Sequence, residues 1–590
     1  MDRYLITLSL GPVQSLIGAA RRTRDLWSGS WLLSEVSRAA ARVLHQAQPG
    51  CLIFPAPQDP ERELAPRDRP GDEANIANIL RAEITGDEAR ARQLCAAAKA
   101  AASDHLRALG ETARAGLPDL REPQWRAQEG DLLEVFAAWA PVRDGDYGRA
   151  SAQLGRALAA RKATRDCGPT PGGGAGLPKS SLDGAFETVL PERPKAVLVR
   201  KLALQGGEQL DVLGVIKRRG GDVEQFTAYS RLAADTWIAG LTPAQRHALG
   251  AAYAPLGGLE LATRVRGNGD LYADLPYDAQ LLYDFRLANA LGNARGDAAA
   301  VAALQALQRE VRAVTRDAGA PVPYAVILQA DGDRMGELLD RATSAEQSRR
   351  ISQALHGFAS AVRGIVRAHR GHAIYAGGDD VLALLPLHSA VAAAQALAAA
   401  FGAALAGVAA ELKPAQAPTL SVGLGIGHLI EPLGSLRERA LRAEQWAKGD
   451  HLPNAQRRNA LGIILGIRSG GEVQWRAQWD QAQDLAELAA YTHAYTQGEL
   501  PSRVAYDLRD IDLRLRWLGA DPGATAIGMR RAEVARMLDR ARTRGDAPLA
   551  APHQATLLRR AGETPLGTLA DTLIIARWLA ARTQSQVEKP

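Results

Sequence analysis

An uninterrupted apolar run at residues 322–329, which leads to Asp331, constrains the fold of this chain most strongly. Continuous apolar runs of this length are typical of central strands that are buried on both faces of a sheet. Residues 372–375 and 381–385 are also strand-like, and they flank the turn sequence Gly-Gly-Asp-Asp at residues 377–380. This arrangement predicts a β-hairpin with acidic residues at its tip. Since ligands bind at the carboxyl ends of strands in open α/β sheets, we expect the two acidic groups to lie together.

The expected cluster contains Asp331, Asp379 and Asp380, with Asp333 nearby. Carboxylates a few ångströms apart raise each other's pKa values and cannot all remain ionised without compensation. A few hard oxygen ligands with open positions suit Mg²⁺ or Mn²⁺ rather than zinc. Two such ions can activate a ribose hydroxyl and stabilise the charge that develops on an α-phosphate and its leaving group. We therefore predict that these three aspartates are catalytic metal ligands for nucleotidyl transfer.

Residues around the cluster are candidates for binding the nucleotide. Glycines in the turn and after the strand allow close approach to a triphosphate, and free N–H groups at a helix start can bind phosphate. The predicted nucleotide-binding residues are Gly332, Asp333, Arg334, Gly336, Gly377, Gly378, Ser421, Lys448 and Arg458. Structural roles stay open for several of them, because Asp333 could cap a helix, Arg334 could be a surface residue, Ser421 could be a packed residue and Lys448 could complement a helix dipole.

Length and composition limit the class of protein. A chain of 590 residues is too long for one hydrophobic core, and 46% hydrophobic residues indicate a folded protein. The net charge of +6 is compatible with an anionic partner but does not establish one. Three widely spaced cysteines fit a reducing compartment, and residues 1–10 read as a strand rather than as a signal peptide, so we expect a cytoplasmic protein. The alanine-rich stretch 390–410 is interpreted as a buried helix of a soluble domain.

The first half of the chain begins much like the second. Residues 4–10 are strand-like, but Gly11 and Pro12 follow in place of an acid. Further along, residues 210–216 are predicted to form a strand, and the basic residues 217–219 could contact RNA, although solvated helix faces are the commoner explanation. Residues 476–590 read as mainly helical.

Several separated stretches resemble one known family. They are Gly11-Pro12-Val13-Gln14-Ser15, Asp25-Leu26-Trp27, Val212-Leu213-Gly214-Val215-Ile216-Lys217-Arg218, Asp331-Gly332-Asp333-Arg334-Met335-Gly336, Gly377-Gly378-Asp379-Asp380 and Arg458-Asn459-Ala460. Together and in this order they resemble the large polymerase/cyclase subunit of type III-B CRISPR RNA-guided effector complexes, the Cmr complexes. The resemblance spans residues 1 to about 475.

The resemblance implies an α/β multi-domain fold with two ferredoxin-like palm domains, of which the second is catalytic. The implied domains are a first, degenerate palm at 1–160, a degenerate zinc-finger region with a mixed helical domain at 161–318, the catalytic palm at 319–475 and a helical domain at 476–590. It also implies a subunit that works with other Cmr subunits, guide RNA and target RNA, not as a stand-alone homo-oligomer or at a membrane. On sensing target RNA, such a subunit converts ATP into a second messenger.

Two departures from the family bear on activity. The chain has no His-Asp dipeptide of the kind that marks the N-terminal nuclease domain of many relatives, so we expect no DNA cleavage by this chain. Residues 179–184 look like an eroded four-cysteine zinc finger with serine and aspartate in place of cysteines, so we expect no zinc.

The sequence allows more than one product and more than one activity. A cyclic oligoadenylate is the messenger of most relatives, and ATP joined to S-adenosylmethionine is that of some, so S-adenosylmethionine is a possible second substrate. A non-catalytic RNA-binding scaffold and a diguanylate cyclase are the two competing activities. Unpaired clustered acids cost stability, which argues against the scaffold. The usual diguanylate cyclase turn continues with Glu-Phe, whereas Asp380 and Val381 stand here.

Overall fold

The computed structural model describes residues 2–67, 76–164, 174–220, 226–265, 269–468, 470–518, 523–543 and 546–588. Within these ranges the strands form one sheet of four strands and one of six. The strands are β1 (Arg3–Gly11), β2 (Leu52–Phe54), β3 (Ile79–Thr85), β4 (Glu134–Pro141), β5 (Tyr324–Asp333), β6 (His372–Gly377), β7 (Asp380–Leu385), β8 (Thr419–His428), β9 (Ala460–Gly466) and β10 (Glu472–Gln478).

Helices cover the sheets and fill the regions between and after them. They are α1 (Thr23–Ala47), α2 (Pro60–Glu63), α3 (Glu88–Arg114), α4 (Glu122–Glu129), α5 (Tyr147–Ala163), α6 (Ala196–Lys201), α7 (Val212–Arg219), α8 (Tyr229–Gly240), α9 (Pro243–Gly258), α10 (Asp284–Asn293), α11 (Ala298–Ala318), α12 (Met335–Asp340), α13 (Ala345–Ala368), α14 (Ala390–Leu412), α15 (Leu433–Lys448), α16 (Ala482–Gln497), α17 (Arg503–Arg514), α18 (Ala524–Arg540), α19 (Ala551–Glu563), α20 (Leu566–Ala580) and α21 (Ser585–Glu588).

The two sheets are built on the same plan. The first has the order β2-β3-β1-β4, and the second has the order β10-β9-β8-β5-β7-β6. Strands β1 to β4 with α1 and α3, and strands β5 to β8 with α13 and α14, each follow a β-α-β-β-α-β course with antiparallel neighbours. In the second sheet, β9 pairs in parallel with β8 and β10 pairs antiparallel with β9. The predicted fold class, with two ferredoxin-like sheets, is confirmed.

The central strand β5 is buried on both faces, which explains its continuous apolar sequence. Ala325 and Ile327 belong to a core that the second sheet shares with the first sheet and with α6 to α11, the middle helices. Val326 and Leu328 point the other way, into a core formed with α13, α14 and the C-terminal helices. Because neighbouring residues of a strand face opposite sides, both sets must be apolar.

The strand predicted at residues 210–216 is wrong, because residues 212–219 form helix α7. Asp211 caps this helix, and its side chain accepts a hydrogen bond from the backbone N–H of Gly214. A short apolar run that is buried on all sides shows no periodicity that separates a helix from a strand.

The basic residues at 217–219 are mostly buried, so for Lys217 and Arg218 both the possible RNA contact and the commoner explanation, a solvated helix face, are wrong. The Arg218 guanidinium lies 2.5 Å from the Asp25 carboxylate and 2.7 Å from the Glu208 carboxylate. Lys217 donates to the carbonyl of Ala19 over 2.6 Å. These contacts join the middle helices to the first sheet's helices and leave the two charges unavailable to a nucleic acid.

The C-terminal helices are attached to the start of β5. The Val322 N–H donates to the Arg582 carbonyl over 3.1 Å, and the Gln584 N–H donates to the Ala320 carbonyl over 2.9 Å. Residues of α16, α17 and α20 also share the second hydrophobic core with β5. The helical tail and the second sheet are therefore one packed body.

Helix α14 is only partly buried, which corrects the interpretation of residues 390–410 as a buried helix. Leu397, Phe401 and Leu405 face the core, but most residues of the apolar stretch are not buried. By length and composition, the helix at Leu387–Leu412 could cross a membrane; among the described residues it is the one such helix. Its apolar face packs on α13 and β8, as in the core helix of a domain.

Two predicted domain boundaries fall inside elements of the structure. Position 160 lies within α5, and position 475 lies within β10, which extends to Gln478. We propose that these boundaries follow Ala163 and Gln478, and the boundary at 318 coincides with the end of α11. Of the predicted zinc-finger remnant, Lys179 forms an isolated bridge with Glu187.

Candidate active site

Strand pairing brings the predicted catalytic aspartates to one edge of the second sheet. Ala330 of β5 pairs with Val381 of β7, so Asp331 lies next to Asp380 one position further along. Both Asp331 and Asp379 act on the pKa of Asp380. The hairpin predicted from the sequence is present, with β6 and β7 paired from His372 to Gly377.

The environment of the hairpin opposes negative charge. Burial, followed by repulsion from Asp331, raises the pKa of Asp379 to about 6. Burial, the hydrogen bond with Asp331 and repulsion from Asp379 raise the pKa of Asp380 to about 9. A nearby cation is therefore needed if both hairpin carboxylates are to be ionised near neutral pH.

Lys448 supplies one positive charge to this cluster. It ends helix α15 and forms an ion pair with Asp331, and its ammonium also lies 3.1 Å from the Glu444 carboxylate one helical turn earlier. Both carboxylates raise the pKa of Lys448, against the effect of burial. The lysine is thus held as a cation at the position where the cluster needs one.

The donors suit a divalent ion, but they are not yet arranged around one. Carboxylate oxygens are the ligands that Mg²⁺ and Mn²⁺ prefer, and a divalent ion would offset the burial and the mutual repulsion that raise the pKa values of Asp379 and Asp380. Among the residues that the structure describes, no three acidic, histidine or cysteine side chains converge as a preformed metal site.

Asp333 has a structural role, because its side chain is buried and bonded to neighbouring segments beneath the catalytic aspartates. Its buried carboxylate accepts hydrogen bonds from the hydroxyls of Thr419 and Ser421, at 2.8 and 2.9 Å, and from the Asn459 N–H at 3.0 Å. Helix α12 has Arg334 at its N-cap, in a left-handed conformation, so Asp333 is not the cap of that helix. Asp333 joins β5 and β8 to the segment before β9, and it positions Ser421 rather than presenting it to solvent.

Three glycines at the site are required by close packing or by backbone conformation. A Cβ atom on Gly332 would lie 2.7 Å from the Cβ of Asp379 and 2.9 Å from the Phe401 ring. Gly378, at the hairpin tip, has φ +73°, which favours glycine. A Cβ atom on Gly377 would overlap the Tyr375 hydroxyl, whereas Gly336 has open space around it. Close packing therefore explains Gly332 and Gly377, and backbone conformation explains Gly378.

Arg458 lies on the segment that Asp333 anchors. Its guanidinium donates to Asp450 over 2.9 Å, and both Arg458 and Asn459 have left-handed backbone conformations, with φ of 65° and 51°. The Arg458 N–H donates to the carbonyl of Lys448. The two predicted phosphate-binding cations, Arg458 and Lys448, are thus adjacent in the structure.

A cavity of about 360 Å³ adjoins the hairpin. It lies between the first unit, which is the first sheet with its helices, and the second unit, which is the second sheet with its helices. Gly378 lies on its wall, together with Ser352 and His356 of α13. From the first unit come residues of α1, of the segment after β2 and of β3, including Arg38 and Arg62. The cavity therefore combines charged side chains of both signs from the first unit, with Asp59 and Glu63 beside the arginines, and the tip of the acidic hairpin.

Three residues of the site were not predicted from the sequence. Glu444 lies four residues before Lys448 on a helix, a spacing that could have indicated the pair. Thr419 is opposite Asp333 in the β5–β8 register, which the sequence does not reveal. Asn459 acts through its backbone, for which a side-chain motif gives no signal.

Family models match two parts of the chain. The model of the Cas10/Cmr2 second palm domain matches residues 324–461, and the model of the N-terminal domain of the CRISPR-associated protein Cmr2 matches residues 5–111. The first match contains all three predicted catalytic aspartates. The second covers the first sheet except β4.

Proteins similar to the chain include a curated protein and two solved structures. The CRISPR system Cmr subunit Cmr2 of Pyrococcus furiosus is 33% identical over 196 residues, which cover 29% of this chain and 22% of that protein. The chain thus spans well under two thirds of this relative in the match. A type III-B Cmr-beta structure in the apo state has a TM-score of 0.64 at 13% identity, and the match covers 94% of this chain and 78% of the other. The same complex bound to cognate target RNA has a TM-score of 0.59 at 12% identity, with coverage of 91% and 78%.

Proposed function

We propose that this chain, which belongs to the Cas10/Cmr2 family, joins or cyclises nucleoside triphosphates at the site formed by Asp331, Asp379 and Asp380. The observation that carries the proposal is the meeting of these carboxylates on neighbouring strands, where the pKa values of both hairpin aspartates are raised. Perturbed titratable groups clustered at a strand edge are characteristic of catalytic sites. The substrate that we propose is ATP.

In this proposal the three aspartates hold two Mg²⁺ or Mn²⁺ ions. Such ions supply a lowered pKa for a ribose hydroxyl and neutralise the charge of the reacting phosphate. The chain's own groups bind and orient the nucleotide. Lys448, once displaced from Asp331, is placed to bind a triphosphate, with Arg458 beside it. Gly332, Gly336, Gly377 and Gly378 let the backbone approach the phosphates.

We further propose that the chain works inside a type III-B CRISPR effector complex with the other Cmr subunits, guide RNA and target RNA. Support comes from the two matched domains and from the fold shared with the Cmr-beta structures, one of which is bound to cognate target RNA. The product proposed first is a cyclic oligoadenylate, and the alternative is a conjugate of ATP with S-adenosylmethionine. The cavity beside Gly378, between the two units, is the proposed site for a second nucleotide.

The test is mass spectrometry of the products of the assembled complex. The complex receives guide RNA, matching target RNA, Mg²⁺, ATP and S-adenosylmethionine. We expect a target-dependent adenylate product whose mass separates a cyclic oligoadenylate from a methionine conjugate. The double change Asp379→Asn with Asp380→Asn should lower its yield by about 10³-fold or more, since both metal ligands are weakened.

The matched control is Asp340→Asn, an exposed carboxylate at the end of α12, which should leave the yield unchanged. A second candidate function, a non-catalytic RNA-binding scaffold, is favoured by one observation: Lys448 already neutralises Asp331. Target binding without any nucleotide product, in the presence of Mg²⁺ or Mn²⁺, would establish the scaffold and refute the synthase.

A further inference from the structure

A second cavity, of about 330 Å³, lies among the C-terminal helices and shares no residue with the acidic site. It is bounded by the end of α16, the start of α17, the segment after α18, the end of α20 and α21. Three arginines, Arg503, Arg542 and Arg577, line it, and no aspartate or glutamate of the described part of the chain does. A concave surface with charges of one sign concentrates the opposite charge, so the cavity favours an anion.

Arg577 forms a rigid, buried part of the wall. It is 2% exposed, and its Nε donates to the Gln586 carbonyl over 2.7 Å. Its Nη1 donates to the Tyr506 hydroxyl over 3.3 Å, and the guanidinium lies 5.7 Å from the centre of that ring. Burial lowers the pKa of Arg577, because the charged form loses hydration. A fixed guanidinium needs little reorganisation to bind an anion.

The other two arginines lie at the mouth of the cavity. Arg542 is exposed and donates to the carbonyls of Asp539 and Ala541, at 2.8 and 3.0 Å. Arg503 is 80% exposed and forms a 3.2 Å ion pair with Asp507, which is 34% exposed. Such exposed pairs are weak and exchange readily for a stronger anion.

Two hydroxyl side chains adjoin the arginines. Thr543 and Ser502 line the cavity; the Thr543 hydroxyl donates to the Ala547 carbonyl over 3.3 Å, and Ser502 occupies the N-cap position of the twelve-residue helix α17 without a side-chain capping bond. The positive end of the α17 dipole is thus directed toward the same space as the three arginines. One guanidinium fork satisfies a carboxylate, whereas donors from three directions suit the several oxygens of a phosphate.

We propose that this cavity binds a phosphate group of a nucleotide, either a free nucleotide or a nucleotide of a single-stranded RNA. Its volume is in the range of small-molecule sites and leaves room for more than the phosphate alone. The inference is independent of the proposed nucleotidyl transfer, because the cavity contains none of the residues assigned to that reaction.

The experiment measures binding to the full chain that carries Asp379→Asn and Asp380→Asn, in EDTA, so that metal-dependent binding at the acidic site is removed. The probes are inorganic phosphate, AMP, ATP and an eight-nucleotide single-stranded RNA, titrated by calorimetry. We expect saturable binding of at least one nucleotide probe, weakened at least tenfold by Arg503→Gln combined with Arg542→Gln. Both arginines are exposed, so the fold should tolerate these changes.

Arg540→Gln is the matched control, since Arg540 is exposed, two residues from Arg542 and outside the cavity. It should change the affinity by less than twofold. Binding of AMP or ATP identifies a free nucleotide as the ligand. Binding of the RNA probe without binding of AMP or ATP identifies single-stranded RNA as the ligand. The proposal is overturned if no nucleotide or RNA probe binds saturably, or if the double variant binds as the control does.

Discussion

Asp331 has two competing partners, and this competition sets the state of the acidic site. On one side is the Asp380 carboxyl, whose pKa is raised to about 9, and on the other is the Lys448 ammonium. The ion pair with Lys448 compensates Asp331, while Asp380 is the group that retains its proton. Without a divalent ion, the site therefore holds a proton and a lysine in place of a metal.

The first residue-scale prediction concerns pH. The folded-state pKa values of Asp379 and Asp380, about 6 and about 9, exceed the ordinary value of 3.8. The folded protein thus binds more protons than the unfolded chain, and the contribution of these groups to stability is lost as pH rises from about 4 to about 9. In EDTA at pH 8.5, Asp380→Asn should raise the Tm by about 2–4 °C, the shift that ~1 kcal/mol produces in a unit of this size.

Thermal unfolding between pH 5 and pH 8.5 measures this effect. The exposed Asp340→Asn should follow the parent protein at every pH. If the Tm of the Asp380→Asn variant and the Tm of the parent protein fell in parallel as pH rises, the hairpin carboxyl would not retain its proton.

The second residue-scale prediction concerns Gly332. A methyl group there would meet Asp379 and Phe401 at distances that require something to move. Gly332→Ala should destabilise the protein by about 1–3 kcal/mol, as overpacking does, and should abolish nucleotide turnover by shifting Asp379. Gly402→Ala, on the exposed face of α14 with open space around it, should preserve turnover and keep or raise stability. Equal effects of the two changes in denaturation and turnover assays would contradict this account.

At the residue scale, the sequence predicts which residues take part in the chemistry better than it predicts which residues are buried. Asp331, Asp379 and Asp380 could be identified because a strand and a hairpin turn leave clear local patterns. Arg218 could not be identified as buried, because its partner Asp25 is 193 positions away in the chain. The position of Asp333 under the site was equally hidden, since it depends on the β5–β8 register.

At the scale of elements, glycines in β8 allow α15 to pack directly on the sheet. Gly423, Gly425 and Gly427 alternate along the strand, so all three face the same side. A Cβ atom on Gly425 would lie 2.6 Å from the backbone nitrogen of Ala440 in α15. This close approach fixes the helix that ends at Lys448, and so fixes the lysine beside Asp331.

Gly425→Ala should therefore displace α15 and weaken the Lys448–Asp331 pair. We expect a loss of about 2–3 kcal/mol in the free energy of unfolding, measured by denaturant titration, because the clash is with backbone. Gly434→Ala, in the first turn of α15 with open space around it, is the control and should be neutral or slightly stabilising. An unchanged stability of Gly425→Ala would mean that α15 does not depend on these glycines.

Some elements escaped prediction for identifiable reasons. Strand β10 places Val473, Trp475 and Ala477 on one buried side, an alternation that was present in the sequence but lay at a predicted domain boundary. Strand β3 shows the same alternation at Leu80, Ala82 and Ile84 beside a long helix. Strongly apolar strands such as β5 were predictable because a continuous apolar run identifies a buried strand without information from other parts of the chain.

At the scale of the whole molecule, the second sheet lies between two hydrophobic cores. One joins it to the first sheet and the middle helices, and the other joins it to the C-terminal helices. Tyr229 of α8 connects the middle helices to this sheet: its hydroxyl donates to the carbonyl of Ala325 over 2.6 Å and lies 3.2 Å from that of Gly427.

Tyr229→Phe should lower the free energy of unfolding by about 1–2 kcal/mol, because two buried carbonyls lose their partner. The control is Tyr491→Phe, whose buried hydroxyl has no hydrogen-bond partner in the part of the chain that the structure describes. That change should be neutral or stabilising. Equal costs in chemical denaturation would show that the Tyr229 hydroxyl does not hold the units together.

The hydrogen bonds between residues 320–322 and 582–584 have a consequence for how the protein matures during synthesis. The strand that carries Asp331 begins where the last part of the chain docks. On a ribosome, the acidic site can therefore receive its full packing only after residue 584 has emerged, long after Asp331 itself. Premature termination anywhere in the helical tail would leave a nascent chain with its catalytic residues present and the strand that supports them incompletely bonded.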